Sequence, residues 1–201
     1  MARRARWIRL GCVDERQLQA ACGGFAVARV REAAPIVLWA CAGEGKYGYA
    51  VIAPAHVAPG RPVRWIPWAL TPAVAAYRDF GLRAYLDGSD LCLHGRRIGN
   101  GLADVIGECV VITSSLDVVA SSPELSASAP DFRAWLREGL GISMTQWGSA
   151  GDAPAERAFE AALRARIEAQ HGWQFETAWP TPVEKAAMRK LRREPLQQAL
   201  V

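Results

Sequence analysis

The amino-acid sequence predicts an α+β fold, in which a mixed or antiparallel sheet packs with helices. In residues 36–53 two apolar runs flank a glycine-rich turn, and residues 81–112 form a meander of short alternating segments, so both stretches predict sheet. Residues 154–171 predict the clearest helix, because large apolar side chains recur there at four-residue steps. We therefore expect an α/β domain over residues 1–150 and a helical extension over residues 151–201 that packs on it.

The N-terminal region predicts three elements ahead of the first buried strand. Residues 1–12 carry four arginines around Trp7 and Ile8, which indicates a basic tail or an edge strand. Residues 14–22 combine helix formers with an acidic first turn, and Gly23-Gly24 predicts the end of that helix. Residues 25–30 favour a strand.

The middle of the chain predicts a loop and then a helix. Prolines punctuate residues 54–68, which predicts an extended loop. The helix is expected to begin with Thr71 as N-cap and Pro72 in the first turn, and to end at Gly81. Its apolar face, which we expect in the core, comprises Ala73, Ala76, Tyr77 and Phe80.

The C-terminal region predicts mainly helices. Residues 131–139 favour a short helix, and residues 174–176 favour a short strand after the long helix. His171 lies at the end of that long helix, so we interpret it as a packed residue or a helix-terminal charge rather than a catalyst. A capping box over residues 181–184 then opens a basic helix.

Composition indicates a folded protein without a membrane segment. Hydrophobic residues make up 51% of the chain and eight are tryptophan, which suffices for a large core. The net charge of +4 is mild and does not by itself argue for nucleic acid. The longest apolar run, near residues 33–42, is far shorter than the ~20 residues of a membrane span. The N-terminus lacks the apolar segment of a signal peptide, so we expect a cytoplasmic protein.

The cysteines predict thiols rather than a metal site. No C-x-x-C spacing occurs, and the three histidines are scattered, so a zinc site is not expected. We expect free, mostly buried thiols. The five positions are Cys12, Cys22, Cys41, Cys92 and Cys109.

Residues 43–48, Gly-Glu-Gly-Lys-Tyr-Gly, match the G-x-G-x-x-G pattern of dinucleotide-binding sites. That fingerprint must open a helix, whose free N–H groups hold the pyrophosphate. Here residues 49–53 favour a strand and stop at Pro54, which excludes a Rossmann site. No Gly-Lys-Ser/Thr follows at the spacing of a phosphate-binding P-loop. The segment is either a plain hairpin loop or a loop that contacts a ligand.

Two glycine-rich stretches, residues 42–54 and 90–99, resemble the catalytic domain of lipoate- and biotin-protein ligases. In that family a glycine-rich turn is followed by a helix and by a hairpin ending in Gly-Lys/Arg-Lys-Ile-Ser/Ala-Gly. Residues 71–80 stand where the family places the helix, and residues 95–99, Gly-Arg-Arg-Ile-Gly, resemble the hairpin end. The resemblance covers about residues 36–113 and implies a ligase-like α+β fold related to class II synthetases.

The resemblance also implies a site between the two stretches. Arg97 corresponds to the family lysine that meets the acyl carboxylate and phosphate, and Lys46 would supply a second positive charge. We take Arg97 and Lys46 as candidate catalytic residues. The candidate ligand-binding residues are Gly43, Gly45, Gly48, Gly95, Arg96, Ile98, Gly99 and Asn100.

The sequence departs from the family pattern at several places. Leu38 and Trp39 replace the paired arginines that precede the glycine turn in the family. Glu44 interrupts the run of three glycines, and Asn100 replaces the second glycine of the hairpin motif. Arginine at position 97 keeps the charge of the lysine but differs from it in length, donor geometry and hydration.

Cysteine catalysis is a further alternative within the family. An octanoyltransferase would need a cysteine nucleophile beside the lysine, and a guanidinium lowers the pKa of a nearby thiol. Cys92 and Cys109 lie near Arg97 in sequence, but neither stands in a family cysteine motif. We therefore expect both to be buried structural residues.

Three functions remain open at this point. In the first, the fold has lost catalysis and serves as a non-enzymatic ligand-binding or accessory subunit. In the second, an active ligase or acyltransferase uses ATP with Mg²⁺ to join lipoate, octanoate or biotin to a lysine of a lipoyl domain or another carrier protein. In the third, the basic termini bind nucleic acid. No membrane partner is expected, and the sequence does not predict the oligomeric state.

Overall fold

The structure is a computed structural model that describes residues 3–29, 34–43, 46–93, 95–117 and 153–193. In these residues an eight-stranded mixed sheet packs with four helices, as the sequence predicts. The strands are β1 (Arg3–Cys12), β2 (Ile36–Gly43), β3 (Lys46–Pro54), β4 (Ala84–Asp87), β5 (Asp90–Leu93), β6 (Arg96–Ile106), β7 (Cys109–Asp117) and β8 (Trp173–Thr177). The helices are α1 (Glu15–Val27), α2 (Trp65–Asp79), α3 (Ala153–His171) and α4 (Pro182–Arg193), and a 3-10 turn (Pro62–Arg64) precedes α2.

The strand order is β4-β5-β6-β7-β3-β2-β1-β8. Every neighbouring pair from β4 to β2 is antiparallel, whereas β1 runs parallel to both β2 and β8. The predicted meander is therefore confirmed, with a hairpin joining β4 and β5 and tight connections between β5, β6 and β7. The parallel strands at the other end make the sheet mixed.

Two apolar clusters lie on opposite faces of the sheet. One contains side chains of α2 and α3 and the β-strand residues Trp39, Tyr49 and Val51. The other contains side chains of α1 and the alternate residues of the same strands, such as Leu38 and Ala50. Because β2 and β3 bury both faces, they read as continuous apolar runs in the sequence.

The N-terminal segment is an internal strand, so its prediction as a tail or an edge strand was wrong. β1 pairs with β2 on one side and β8 on the other. Trp7 is buried, and its indole N–H donates to Glu160 of α3 at 2.7 Å. Arg9 binds the same carboxylate, and Arg6 binds Glu184 of α4. Carboxylates on distant helices thus neutralise a strand that looks too basic to be internal.

Helix α1 continues through the glycine pair at which it was predicted to stop. It extends to Val27, and Phe25, predicted to begin a strand, is a fully buried helical residue. At Gly24 a Cβ atom would stand 2.7 Å from the backbone nitrogen of Met188 in α4. The glycine is needed for the close contact between two helices, a reason that the local sequence does not reveal.

Helix α2 begins six residues before the predicted N-cap. It starts at Trp65, and Pro67 occupies the first turn, where an N–H group has no intrahelical acceptor. The predicted N-cap Thr71 lies inside the helix, where its hydroxyl donates to the carbonyl of Pro67 at 2.6 Å. The helix is otherwise as predicted, with Tyr77 buried and Gly81 following at φ 80°.

The C-terminal elements match the prediction closely. Phe159, Leu163 and Ile167 of α3 are buried. The capping box at the start of α4 is present, since Thr181 N donates to Glu184 Oε2 at 2.6 Å and Glu184 N donates to Thr181 Oγ1 at 3.3 Å. The predicted helix over residues 131–139 and the predicted domain boundary at residue 150 lie outside the described residues.

Candidate functional site

A cavity of about 360 Å³ opens on the α1 face of the sheet. Lys46 and Gly48 of β3, Asn100 of β6 and Ser115 of β7 line its strand side. The ladders explain this grouping, because Gly48 is directly opposite Ser115, and Ser115 is directly opposite Asn100. Residues far apart in the sequence therefore share one row across three strands.

The cavity lining is partly apolar and partly hydrogen-bonding. Leu18 of α1 and Leu102 of β6 supply apolar surface, and Leu102 is 62% exposed. Ser115 Oγ lies 2.7 Å from Asn100 Oδ1, to which it donates. Such a combination suits a ligand with an apolar body and a polar end.

Lys46 lies at the cavity and directly opposite Asp117 in the β3–β7 ladder. Its side chain is exposed, and among the described residues no carboxylate lies within ion-pair distance of it. Arg97 is exposed as well and lies opposite Cys92 at the start of β6. The predicted cations therefore come from two strands that are separated only by β7.

Asp117 links these two cations electrostatically. Burial raises the pKa of Asp117 above its ordinary value, and the charges of Lys46 and Arg97 both oppose that rise. Both cations thus act on one carboxyl group, although Arg97 is not among the described residues that line the cavity. The backbone carbonyl of Asp117 also accepts a hydrogen bond from the Tyr77 hydroxyl at 2.8 Å, which ties the end of β7 to α2.

The glycines predicted to bind a ligand have different structural roles. Gly48 is close to α1, because a Cβ atom there would stand 2.6 Å from Leu18 Cδ2. A Cβ atom at Gly99 would stand 2.5 Å from the backbone oxygen of Ser115, so this glycine permits close strand contact. Gly95 has φ 77° in the turn before β6, and Gly43 ends β2 opposite Lys46.

Other predicted ligand-binding residues are less closely tied to the cavity. Ile98 is buried in the cluster on the α2 face, next to an irregularity in the β5–β6 pairing. Arg96 begins β6, but the position of its side chain lies outside what the structure describes. Gly45 is not among the described residues. The ligand-binding roles of these residues remain predictions.

Sequence reasoning missed Ser115 and Leu18, which line the cavity, and Asp117, on which both predicted cations act. Leu18 belongs to an amphipathic helix and is indistinguishable there from an ordinary core residue. Asp117 and Ser115 end a strand that was recognised only by its apolar first half. The alternation of polar residues on one face of β7 was the available signal.

The described residues do not favour catalysis by Cys92 or Cys109, or a metal site. Cys92 and Cys109 are buried, as predicted, and burial raises the pKa of each thiol. In the described part of the chain, no group of three or more histidine, cysteine or acidic side chains is arranged to hold a metal ion. None of the helices in the described ranges has the length and apolar character that a membrane crossing requires.

Comparison with solved structures decides the fold. A bi-partite lipoate protein ligase from Thermoplasma acidophilum superposes with a TM-score of 0.68 at 11% identity, over 97% of this chain and 94% of that chain. The chain has the fold of lipoate and biotin protein ligases. A lipoate-protein ligase A bound with ATP gives a TM-score of 0.68 at 12% identity, over 96% of both chains.

The chain also resembles a biotin protein ligase in structure. A biotin protein ligase from Aquifex aeolicus superposes with a TM-score of 0.51 at 10% identity, over 98% of this chain and 74% of that chain. No protein-family model matches the sequence, and comparison with curated protein sequences gives no match. The ligase fold is therefore recognised from the arrangement of strands and helices, at identities too low to transfer an activity.

Proposed function

We propose that this protein binds a small carboxylic acid with an apolar body, of the lipoate, octanoate or biotin class, and acts as a non-enzymatic binding or accessory subunit. The observation that carries the proposal is the position of Lys46. This residue lines a cavity between strands and α1, and it has no ion-pair partner among the described residues. A ligand carboxylate would supply that partner through a charge-assisted hydrogen bond.

The rest of the cavity suits the other parts of such a ligand. Ser115 and Asn100 offer a hydroxyl and an amide next to Lys46, so they would orient the carboxylate. Leu18 and Leu102 would contact the apolar body, which gains by leaving water. Gly48 leaves room for Leu18 to pack against β3, since a Cβ atom there would stand 2.6 Å from Leu18 Cδ2.

Two features favour binding over complete ATP-dependent ligation. The cavity of about 360 Å³ lies at the low end of the roughly 300–1,000 Å³ typical of ligand sites, which suits an acid better than an acid together with a nucleotide. Arg97 replaces the family lysine, and a guanidinium cannot reproduce the compact charge of an ammonium group.

An accessory role requires a partner, which we propose to be a lipoyl domain, another carrier protein or a second ligase polypeptide. The Thermoplasma neighbour is described as one bi-partite ligase together with its E2 lipoyl domain, and this chain matches it over almost the full length of both. A protein of this fold and size can therefore work as one part of a larger assembly. We also propose the cytoplasmic location that the sequence predicts.

The test measures binding and turnover on the same preparation. Lipoate, octanoate and biotin are each added, and the melting temperature is followed by calorimetry. A bound acid stabilises the folded state by about 2.7 kcal/mol at a hundredfold excess over Kd. The proposal predicts a rise with at least one acid and no pyrophosphate release when ATP and Mg²⁺ are also present. Absence of any rise contradicts it.

An active ligase or acyltransferase is the second candidate, favoured by the shared action of Lys46 and Arg97 on Asp117. One cation would hold the acid carboxylate and the other a phosphate of ATP. Mg²⁺ would then arrive with the ATP phosphates, as is usual for this ion, since the described residues offer no separate metal cluster. Pyrophosphate release that depends on the acid and is lost in Arg97→Met would favour this candidate.

A further inference from the structure

Two cysteines lie side by side at the ends of neighbouring strands. Cys12 of β1 and Cys41 of β2 are register partners in a parallel ladder. Neighbouring strands are about 4.8 Å apart, and the Cα atoms of disulfide-bonded cysteines are usually about 4.4–6.8 Å apart. Register partners in a parallel pair also project from the same face of the sheet, so the two sulfur atoms share one side.

This pair differs from the other three cysteines in its access to solvent. Cys12 is exposed and Cys41 is half-buried, whereas Cys22, Cys92 and Cys109 are buried. Burial raises the pKa of the Cys22 thiol to about 12, which keeps it in the unreactive protonated form. Small-molecule oxidants therefore reach Cys12 first, and its nearest strand partner is Cys41.

The backbone beside Cys12 permits the small adjustment that a covalent bond needs. The β1–β2 pairing shifts between Arg9 and Gly11, and Gly11 has φ 74° with no atom of the described residues within 4 Å of an added Cβ. Beyond this irregularity Val13 N still donates to the carbonyl of Cys41 at 2.8 Å. The two strand ends thus stay together beyond a bulge at Gly11, where no neighbouring atom of the described residues opposes a small shift.

We propose that Cys12 and Cys41 form a dithiol site that is oxidised reversibly to an intramolecular disulfide and binds trivalent arsenicals in its reduced form. The oxidant is a low-molecular-weight disulfide such as oxidised glutathione. The thiolate of Cys12 attacks it, forms a mixed disulfide and releases one glutathione thiol. The thiolate of Cys41 then attacks the Cys12 sulfur and releases the second. Two protein thiols lose two protons and two electrons, and one glutathione disulfide becomes two thiols.

The experiment treats the full chain with oxidised glutathione and maps tryptic peptides without reduction. Residues 10–16 and residues 32–46 each form a peptide with one cysteine. The expected product is a linked pair of these peptides, about 2 Da lighter than their sum, which dithiothreitol separates. Persistent glutathionylation of Cys12 without this link overturns the proposal, and so does a link that joins two protein molecules or involves another cysteine.

Variants and a second probe make the result specific. Cys12→Ser and Cys41→Ser should each abolish the linked peptide, whereas Cys22→Ser should retain it. Reduced wild-type protein should bind one equivalent of phenylarsine oxide, and Cys12→Ser should lose this binding because one thiol cannot bridge arsenic. Circular dichroism of each variant confirms its folding. Equal arsenical binding by wild type and Cys12→Ser contradicts the proposal.

Discussion

Lys46 of β3, which lines the cavity, is directly opposite Asp117 of β7 in an antiparallel ladder. Burial raises the pKa of Asp117, and the charge of Lys46, together with that of Arg97, opposes this rise. A carboxyl group of the protein therefore acts on the same lysine that would bind a ligand carboxylate. A ligand carboxylate would therefore compete with Asp117 for the same cations.

Replacing Asp117 with asparagine should strengthen carboxylate binding. Removal of one negative charge near Lys46 and Arg97 should improve the free energy of binding by about 1 kcal/mol, roughly fivefold in Kd. Titration calorimetry with octanoate measures the change. Glu176→Gln is the matched control, because Glu176 is an exposed carboxylate on β8, at the other end of the sheet. Unchanged or weaker binding by Asp117→Asn would show that Asp117 does not compete.

The same variant should change how stability depends on pH. Because the pKa of Asp117 is raised in the folded state, the folded protein binds more protons than the unfolded chain between the two pKa values. The free energy of unfolding should therefore fall as pH rises through that window. Asp117→Asn should remove this decline, which denaturant melts at a series of pH values would detect. A decline that persists in the variant must come from another group.

Gly48→Ala should displace Leu18, which lines the cavity, and strain α1. Its Cβ would stand 2.6 Å from Leu18 Cδ2, so Leu18 must move, at a cost of about 1–2 kcal/mol in unfolding free energy. Octanoate binding should weaken in parallel. Leu18→Ala added to Gly48→Ala should recover part of the loss, which a double-mutant cycle measures. Gly60→Ala is the control, since no atom of the described part of the chain lies within 4 Å of a Cβ there.

Arg6→Met should be strongly destabilising. Arg6 donates to both carboxylate oxygens of Glu184, at 2.6 and 3.1 Å, and the two side chains are only 14% and 3% exposed. Burial raises the pKa of Glu184, but hydrogen bonds from Arg6 and Thr181 outweigh it, so that the pKa is lowered. Loss of the arginine leaves a buried, unpaired carboxylate and should cost roughly 3–5 kcal/mol.

The matched control for this ion pair lies on the same strand. Arg4 pairs with Glu176 at 3.7 Å, with side chains 82% and 63% exposed, and Arg4→Met should change the unfolding free energy by less than about 1 kcal/mol. Chemical denaturation compares the two variants directly. Equal effects of Arg4→Met and Arg6→Met would show that burial does not control the strength of these pairs.

His171 should make the protein sensitive to mild acid. Its ring packs against both Trp68 and Trp173, with centroid distances of 4.8 and 4.7 Å, and burial lowers its pKa to about 4. The unfolded chain binds this proton near pH 6.5, so stability is lost as pH falls from about 6.5 to 4. Because the His171 side chain is partly exposed, the loss of unfolding free energy should be on the order of 2 kcal/mol. His171→Gln should remove this loss. If the unfolding free energy of His171→Gln falls with pH as it does in the wild type, His171 is not the responsible group.

The sequence predicts most of the sheet because strands such as β2 and β3 bury both faces and have no helical periodicity. The errors occurred where distant residues decide the structure. Gly24 looks like a helix stop but lies inside α1, because Met188 of α4 packs against it. The arginines of β1 look unsuited to an internal strand, since the carboxylates that neutralise them come from α3 and α4.

Only part of the candidate site was accessible to sequence reasoning. Lys46 stood out because no other lysine occurs before residue 185, and Arg97 because of the glycine-rich hairpin end. Asp117 carries no local motif, and its proximity to both cations depends on the pairing of β7 with β3 and β6. Register between strands far apart in sequence is set by tertiary packing, which no local pattern encodes.

Titration calorimetry of octanoate binding to wild-type protein and Lys46→Ala measures how far binding depends on this ammonium group. Lys190→Ala, which removes a lysine on α4, controls for net charge. We predict one site in the wild type, unchanged affinity in Lys190→Ala, and a loss of at least about tenfold in Lys46→Ala, since a charged hydrogen bond contributes roughly 1.5–3 kcal/mol. A folded Lys46→Ala protein that binds octanoate as tightly as the wild type would contradict the account.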